Sequence, residues 1–167
     1  MKNKVPIFVT GRLMVNDWIQ FIQSQCKSVA GVPVLNQPAL KLIVISITDP
    51  ESNDAPLNIA ENDILRLKFH DLEETYPFDP KYAAIILFDK NFADLILKFI
   101  NTHFCDNLAI LVHCEAGISR SAAVAAALAQ HFNGNNERFF RDPLMPNKLV
   151  YSTLSAVIQE ANTEKSP

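Results

Sequence analysis

The chain has no apolar run approaching the roughly 18 residues that a membrane-spanning helix needs, and the short apolar stretch at residues 5–9, behind Lys2 and Lys4, is too short for a secretory signal core. An excess of basic charge is missing as well. Fifteen Lys and Arg stand against 18 Asp and Glu, for a net charge of −3. No general basic face follows from that balance, which sets nucleic acid aside as a partner. Cysteines are few: Cys26, Cys105 and Cys114 make an odd count with no Cys-x-x-Cys pair. That suits a reducing, cytoplasmic compartment. The three cysteines and four histidines show no metal-ligand spacing, so neither a metal nor a cofactor is expected. Repeats, low-complexity segments and linkers are absent too. A length of 167 residues with 49% apolar content then reads as one domain, 1–167, with a real core.

What is present reads as alternating strands and helices. Residues 5–9 form a short strand, with Pro6 placing it at a strand start or a sheet edge. Met14, Val15, Trp18, Ile19, Ile22 and Cys26 recur at helical spacing, and Gly31 ends that helix. Residues 32–40 are irregular, and residues 42–47 are a buried strand. The acidic segment 49–56 is a surface loop by composition and a poor phosphate binder. Residues 64–69 alternate as a strand, and His70-Asp71-Leu72-Glu73-Glu74 leaves it as a loop. Asp79-Pro80 carries a helix-start signal for a helix over residues 81–104, with Ala84, Leu87, Phe88, Phe92, Leu95, Ile96 and Phe99 facing inward. After residue 134, a glycine stop, residues 135–141 form a short helix and residues 147–161 a final amphipathic one. The fold class is α/β: a three-layer sandwich with a mostly parallel sheet of four to five strands and helices on both faces. Ligands in such sheets bind beyond the carboxyl ends of the strands.

One stretch organises the rest: Val112-His113-Cys114-Glu115-Ala116-Gly117-Ile118-Ser119-Arg120-Ser121. The apolar residues 108–112 before it read as a buried strand. The alanine-rich residues 122–132 after it read as a buried helix. A loop from a strand end into a helix start points successive backbone N–H groups inward, and such a nest binds anions with help from the helix dipole. The same field, with Arg120 folding back, favours a thiolate over a thiol at Cys114. The loop therefore combines a nucleophile with a phosphate-shaped cradle.

The pattern His-Cys-x-x-Gly-x-x-Arg-Ser resembles the signature of the cysteine-based protein tyrosine phosphatases, nearest to their dual-specificity branch. The wording from His113 to Ser121 also resembles a group of small bacterial predicted tyrosine phosphatases. The resemblance is good over residues 64–158 and loose before them. It implies Cys114 as nucleophile through a phosphocysteine intermediate, with the N–H groups of Glu115, Ala116, Gly117, Ile118, Ser119 and Arg120 and the Arg120 guanidinium holding the phosphoryl oxygens. Arginine suits that task through its planar fork, and Gly117 through its missing β-carbon. The resemblance gives Ser121 a hydroxyl donor's role to the sulfur, against an ordinary first-turn helix serine. It makes His113 a support of the loop rather than a base, with its side chain pointing away from Cys114 by strand alternation. Asn147 resembles an asparagine that braces the loop, and equally reads as a helix cap. Phe69-His70-Asp71-Leu72 resembles the segment whose aspartate is the general acid. The interval from Asp71 to Cys114 is longer than in many relatives by about a turn or two, so Asp79 stays open as a rival.

These residues imply a metal-free phosphatase acting on phosphotyrosine, or also on phosphoserine and phosphothreonine. A small-molecule or lipid phosphate, such as a phosphoinositide, is the alternative substrate. From another class, a non-catalytic phosphate-binding interaction module is the alternative function. The partner is thus a phosphorylated protein or a small phosphate, with the oligomeric state left open.

Overall fold

The computed structural model describes residues 4–25, 40–74 and 84–164. Its centre is one sheet of four parallel strands: β1 (Ile7–Gly11), β2 (Lys41–Thr48), β3 (Ile64–Lys68) and β4 (Leu108–Cys114), in the order β1-β4-β2-β3. The first strand–helix–strand unit is thereby opened, since β4 inserts between β1 and β2. The two central strands are buried on both faces, which explains their near-continuous apolar sequences. Alternation divides them between two cores. Ile43, Ile45, Ile47, Leu108, Ile110, Val112 and Cys114 enter the larger one, whereas Leu42, Val44, Ala109 and Leu111 enter the smaller.

Helix α1 (Val15–Gln25) covers the smaller core with Val15, Ile19 and Ile22. A single 3-10 turn, Arg12–Met14, leads into it, and Met14 stays exposed instead of joining the buried face. Helices α2 (Lys90–His103), α3 (Arg120–Asn133) and α4 (Lys148–Thr163) cover the other face. The expected α/β three-layer arrangement is therefore observed, with an all-parallel sheet. No helix among the described residues is long and apolar enough to cross a membrane.

Helix α3 lies closest to the sheet, packed against β1, β4 and α4. Every residue from Arg120 to Ala129 is buried, and alanine is small enough to allow that approach. The helix ends at Gly134, which adopts the left-handed conformation at φ 68° and donates its N–H to the Gln130 carbonyl. The four-residue turn Glu137–Phe140 follows.

Helix α2 corrects the expectation from sequence. It begins at Lys90, not near residue 81, and Asp89 caps it by accepting from the Phe92 N–H at 3.2 Å. Residues 84–89 are not helical because Ile86 is tied to the end of β3. Its carbonyl accepts from the His70 N–H at 2.8 Å, and its N–H donates to His70 Nδ1 at 3.0 Å. The buried side of α2 is Ala93, Ile96 and Ile100, while Leu95 and Ala84 are exposed. The Asp79-Pro80 signal, Cys26 and Gly31 lie outside the described residues.

The tight seat of α3 yields a test. Ala126→Leu should overpack the helix–sheet contact and cost about 1–3 kcal/mol. Gln130→Leu, on the exposed side of the same helix, should change stability by about 0.5 kcal/mol or less. Urea unfolding of both variants measures the difference, and equal midpoints would contradict the packing described.

Candidate active site

Because the sheet is parallel, all four carboxyl ends lie on one edge. Gly11 at the end of β1 is the register partner of Cys114 at the end of β4. From Cys114 the chain turns through residues 115–119 into α3. Gly117 makes this turn possible. Its φ is +77°, and a β-carbon there would stand 2.4 Å from both the Gly11 nitrogen and the Thr10 carbonyl carbon. The loop is therefore seated directly on the end of β1. The Arg12 N–H donates to the Glu115 carbonyl at 3.1 Å, and Arg12 Nη1 lies 3.4 Å from the exposed Glu115 carboxylate. At the other side of the loop, the N–H groups of Met145 and Asn147 donate to the carbonyls of Ile118 and Ser119, at 3.0 and 3.4 Å.

Cys114 is 2% exposed. Its sulfur lies 3.1 Å from the Ser121 hydroxyl oxygen and accepts from the Gly117 N–H at 3.3 Å. Both contacts stabilise charge on sulfur, and the amino end of α3 adds to them.

Arg120 is 4% exposed and is anchored from two other strand ends. Its Nη1 donates to Asp49 Oδ1 at 2.6 Å, just past β2, and to the Phe69 carbonyl at 2.8 Å, just past β3. Its Cζ lies 6.0 Å from the centre of the Phe69 ring. Among the described residues the buried Nε makes no hydrogen bond, and it lies 3.8 Å from Asp71 Oδ2.

Asp71 is brought to the same place. Its Oδ1 accepts from the Ser119 hydroxyl at 2.7 Å and from Asn147 Nδ2 at 3.0 Å. Ser119 occupies the cap position of α3, yet its hydroxyl caps no helix N–H. Asn147 does two jobs. Its side-chain oxygen caps α4 by accepting from the Val150 N–H at 3.0 Å, and its amide nitrogen holds Asp71 and the Leu72 carbonyl. The Lys148 N–H donates to Glu73 at 2.7 Å, so the segment after β3 is fastened to the start of α4.

His113 is fully buried, and its Nε2 lies 2.8 Å from the hydroxyl oxygen of Ser46, its register partner on β2. By strand alternation it faces away from the Cys114 side. Burial holds its pKa down at about 4, with the Cys114 backbone pulling the other way. Nδ1 has no hydrogen-bond partner among the described residues. The imidazole is accordingly neutral near pH 7.

The structure thus gathers Cys114, Gly117, Ser119, Arg120, Ser121, Asp71 and Asn147 at one strand edge, with His113 one layer below. Glu115 and Ala116 stand exposed on the rim, and Ile118 is partly buried. Asp79 lies outside the described residues. Cys105 precedes β4 whereas Cys114 ends it, so the length of the strand, roughly 20 Å, separates the two thiols. The sequence reading missed Asp49, treated there as part of an acidic surface loop. Asp49 stands just past the end of β2, on the strand edge where ligands of such sheets are expected, and that position was the available signal. The reading also missed the side chains of Ser119 and Ser46 and the floor formed by Thr10 and Gly11.

No family model matches the chain, and none of the curated proteins compared with it matches. Solved structures do. The human tyrosine phosphatase-like serine/threonine/tyrosine-interacting protein superposes with a TM-score of 0.57 at 19% identity, covering 95% of this chain and 91% of its own. The PTP-2 phosphatase of Cydia pomonella gives 0.52 at 20% identity, with coverages of 93% and 90%. DUSP15 gives 0.52 at 17% identity, with coverages of 100% and 97%. The chain therefore has the fold of the cysteine-based tyrosine and dual-specificity phosphatases.

Two outcomes test this geometry. Gly117→Ala should abolish vanadate binding, because its β-carbon meets backbone that cannot step aside. Gly134→Ala shares the positive φ but meets only open space, so it should cost about 1 kcal/mol and leave vanadate binding intact. Calorimetric titration of both variants with vanadate decides the point.

The second concerns His113. Its folded-state pKa of about 4 lies below the ordinary value of 6.5, so the unfolded chain binds the proton first as pH falls. The stability is complete above pH 6.5 and is lost toward pH 4, with a slope of up to about 1.4 kcal/mol per pH unit. Urea midpoints measured between pH 7.5 and pH 4 should fall more gently in His113→Asn than in the native chain. Parallel curves would rule out the buried neutral imidazole as a contributor.

Proposed function

We propose that the protein is a metal-free phosphatase of the cysteine-dependent tyrosine and dual-specificity class, built as a single catalytic domain. It would hydrolyse phosphotyrosine, and phosphoserine or phosphothreonine as well, through a phosphocysteine intermediate. The observation that carries this reading is the pairing of a buried sulfur, in reach of Ser121 and the Gly117 N–H, with a buried guanidinium whose Nε has no hydrogen-bond partner among the described residues. A phosphoryl oxygen supplies the partner that Arg120 Nε lacks. Such an orphaned buried donor otherwise costs about 1–3 kcal/mol or more.

In the first step the Cys114 thiolate attacks phosphorus, and the sulfur–phosphorus bond forms as the ester oxygen leaves. Asp71 supplies the proton to that oxygen, and the loop N–H groups with Arg120 hold the three remaining oxygens. Donors fixed before the reaction in this way stabilise developing charge without reorganising. In the second step Asp71 takes a proton from water as that water attacks phosphorus. Sulfur then leaves as thiolate, with the Ser121 hydroxyl donating to it. Asn147 and Ser119 keep the Asp71 carboxyl over the cradle, and Asp49 keeps Arg120 turned toward it. His113 has no proton-transfer part, since it is neutral and hydrogen-bonded to Ser46.

A generic aryl phosphate assayed with a chelator present tests the reading. Cys114→Ser should turn nothing over while still binding vanadate, and turnover near the native rate would remove the thiolate mechanism. Asp71→Asn should lose about a hundred- to ten-thousandfold on phosphotyrosine, far less on a nitrophenyl ester, and the alkaline limb of its pH profile should disappear. Retention of that limb would displace Asp71 as the acid. Binding without turnover in the native chain would favour an interaction module.

A further inference from the structure

The chain that leaves β1 beside the cradle carries an apolar surface that the proposed chemistry leaves unused. Leu13 is 94% exposed and Met14 is 53% exposed, directly after the Arg12 that binds the catalytic loop. The surface continues onto the outer side of α1 as a cleft of about 260 Å³ lined by Met14, Asp17, Trp18 and Phe21. Its floor is aromatic. The Trp18 ring packs against Phe8 of β1 at 5.7 Å and edge-on against Phe21 at 5.8 Å, while Phe21 stays 50% exposed. An exposed aromatic and aliphatic surface of this kind marks an interaction site more often than a bare surface.

We propose that this cleft docks a large apolar side chain of a phosphopeptide substrate whose phosphoresidue occupies the Cys114 cradle. The inference rests on the phosphatase reading and adds the substrate's shape to it. Continuity supplies the first argument. Gly11 is the strand neighbour of Cys114, roughly 4.8 Å away. The 3-10 turn to Met14 adds about 6 Å, and one helical turn to Trp18 about 5 Å more. The cleft therefore lies within about 16 Å of the Cys114 backbone. An extended peptide spans about 3.3 Å per residue, so the docked side chain sits about three to five residues from the phosphoresidue.

Charge supplies the second argument and separates a peptide from a bilayer. A membrane-docking face couples its apolar residues to a surrounding basic ring. Here Arg12 is engaged by Glu115 and by the Asp54 carbonyl, and among the described residues the one charged group lining the cleft is Asp17. Such a face repels an anionic bilayer and favours a peptide with neutral or basic residues beside its apolar anchor.

The protein's single tryptophan lines the cleft, which makes docking directly visible. Phosphotyrosine peptides with one leucine or phenylalanine stepped along an otherwise Gly/Ser sequence are titrated into Cys114→Ser. Trp18 emission should shift blue when the apolar residue stands three to five positions from the phosphotyrosine, and not with the all-Gly/Ser peptide. In the active chain the same peptides should show a KM about tenfold lower than the control. Phe21→Ser and Met14→Ser, both at exposed positions lining the cleft, should abolish that preference and leave p-nitrophenyl phosphate hydrolysis unchanged. An emission and a KM indifferent to the apolar position overturn the proposal. So does sedimentation with phosphatidylserine vesicles that Phe21→Ser abolishes, or a dimer that the same variant dissociates. Should p-nitrophenyl phosphate not be hydrolysed at all, the phosphatase reading fails on its own, and the Trp18 response of Cys114→Ser still decides docking.

Discussion

The guanidinium of Arg120 is the joint at which the site is assembled. A nearly fully buried cation is costly unless hydrogen-bonded and paired, and three segments meet the requirement together. Asp49 comes from the end of β2, the Phe69 carbonyl from the end of β3, and the Asp71 carboxylate from the loop beyond. None of the three is near Arg120 in sequence. The helix that Arg120 begins, the loop before it and the two strand ends are consequently held in one register. Loss of Asp49 or a shift of β3 would leave a buried charge uncompensated at the place where phosphate is proposed to bind.

Much of this was legible because it is local. The passage from apolar strand to Cys-containing loop to alanine-rich helix depends on residues 108–132 alone, and the observed β4 and α3 follow it closely. Cys114, Gly117 and Ser121 accordingly lie in contact at the strand–helix junction. Asp71 joined them because a polar residue just past a parallel strand end must lie on the same edge. What could not be read depends on pairings across the chain. Asp49 is 71 positions from Arg120, and Ser46 is 67 from His113. Only the strand order reveals that each pair is adjacent. The start of α2 was misread for a similar reason. Asp79-Pro80 and Asp89 both carry capping chemistry, and the choice of Asp89 within the described residues follows from the long-range contact of Ile86 with His70.

Strand order also explains why a small sheet suffices. With β4 inserted between β1 and β2, the strand that ends in Cys114 has a neighbour on each side, and each neighbour does something different for it. β1 supplies a floor of backbone: Thr10 and Gly11 leave just enough room for Gly117, and a β-carbon at Gly117 would collide with their main-chain atoms. β2 supplies polar anchors, Ser46 for the imidazole below the loop and Asp49 for the guanidinium beside it. β3, beyond β2, delivers Asp71 to Ser119 at the start of α3, where its carboxylate accepts at 2.7 Å. Were β4 an edge strand, either the floor or the anchors would be missing. The central place of the strand that carries the nucleophile is thus a geometric condition for loading one loop from two sides.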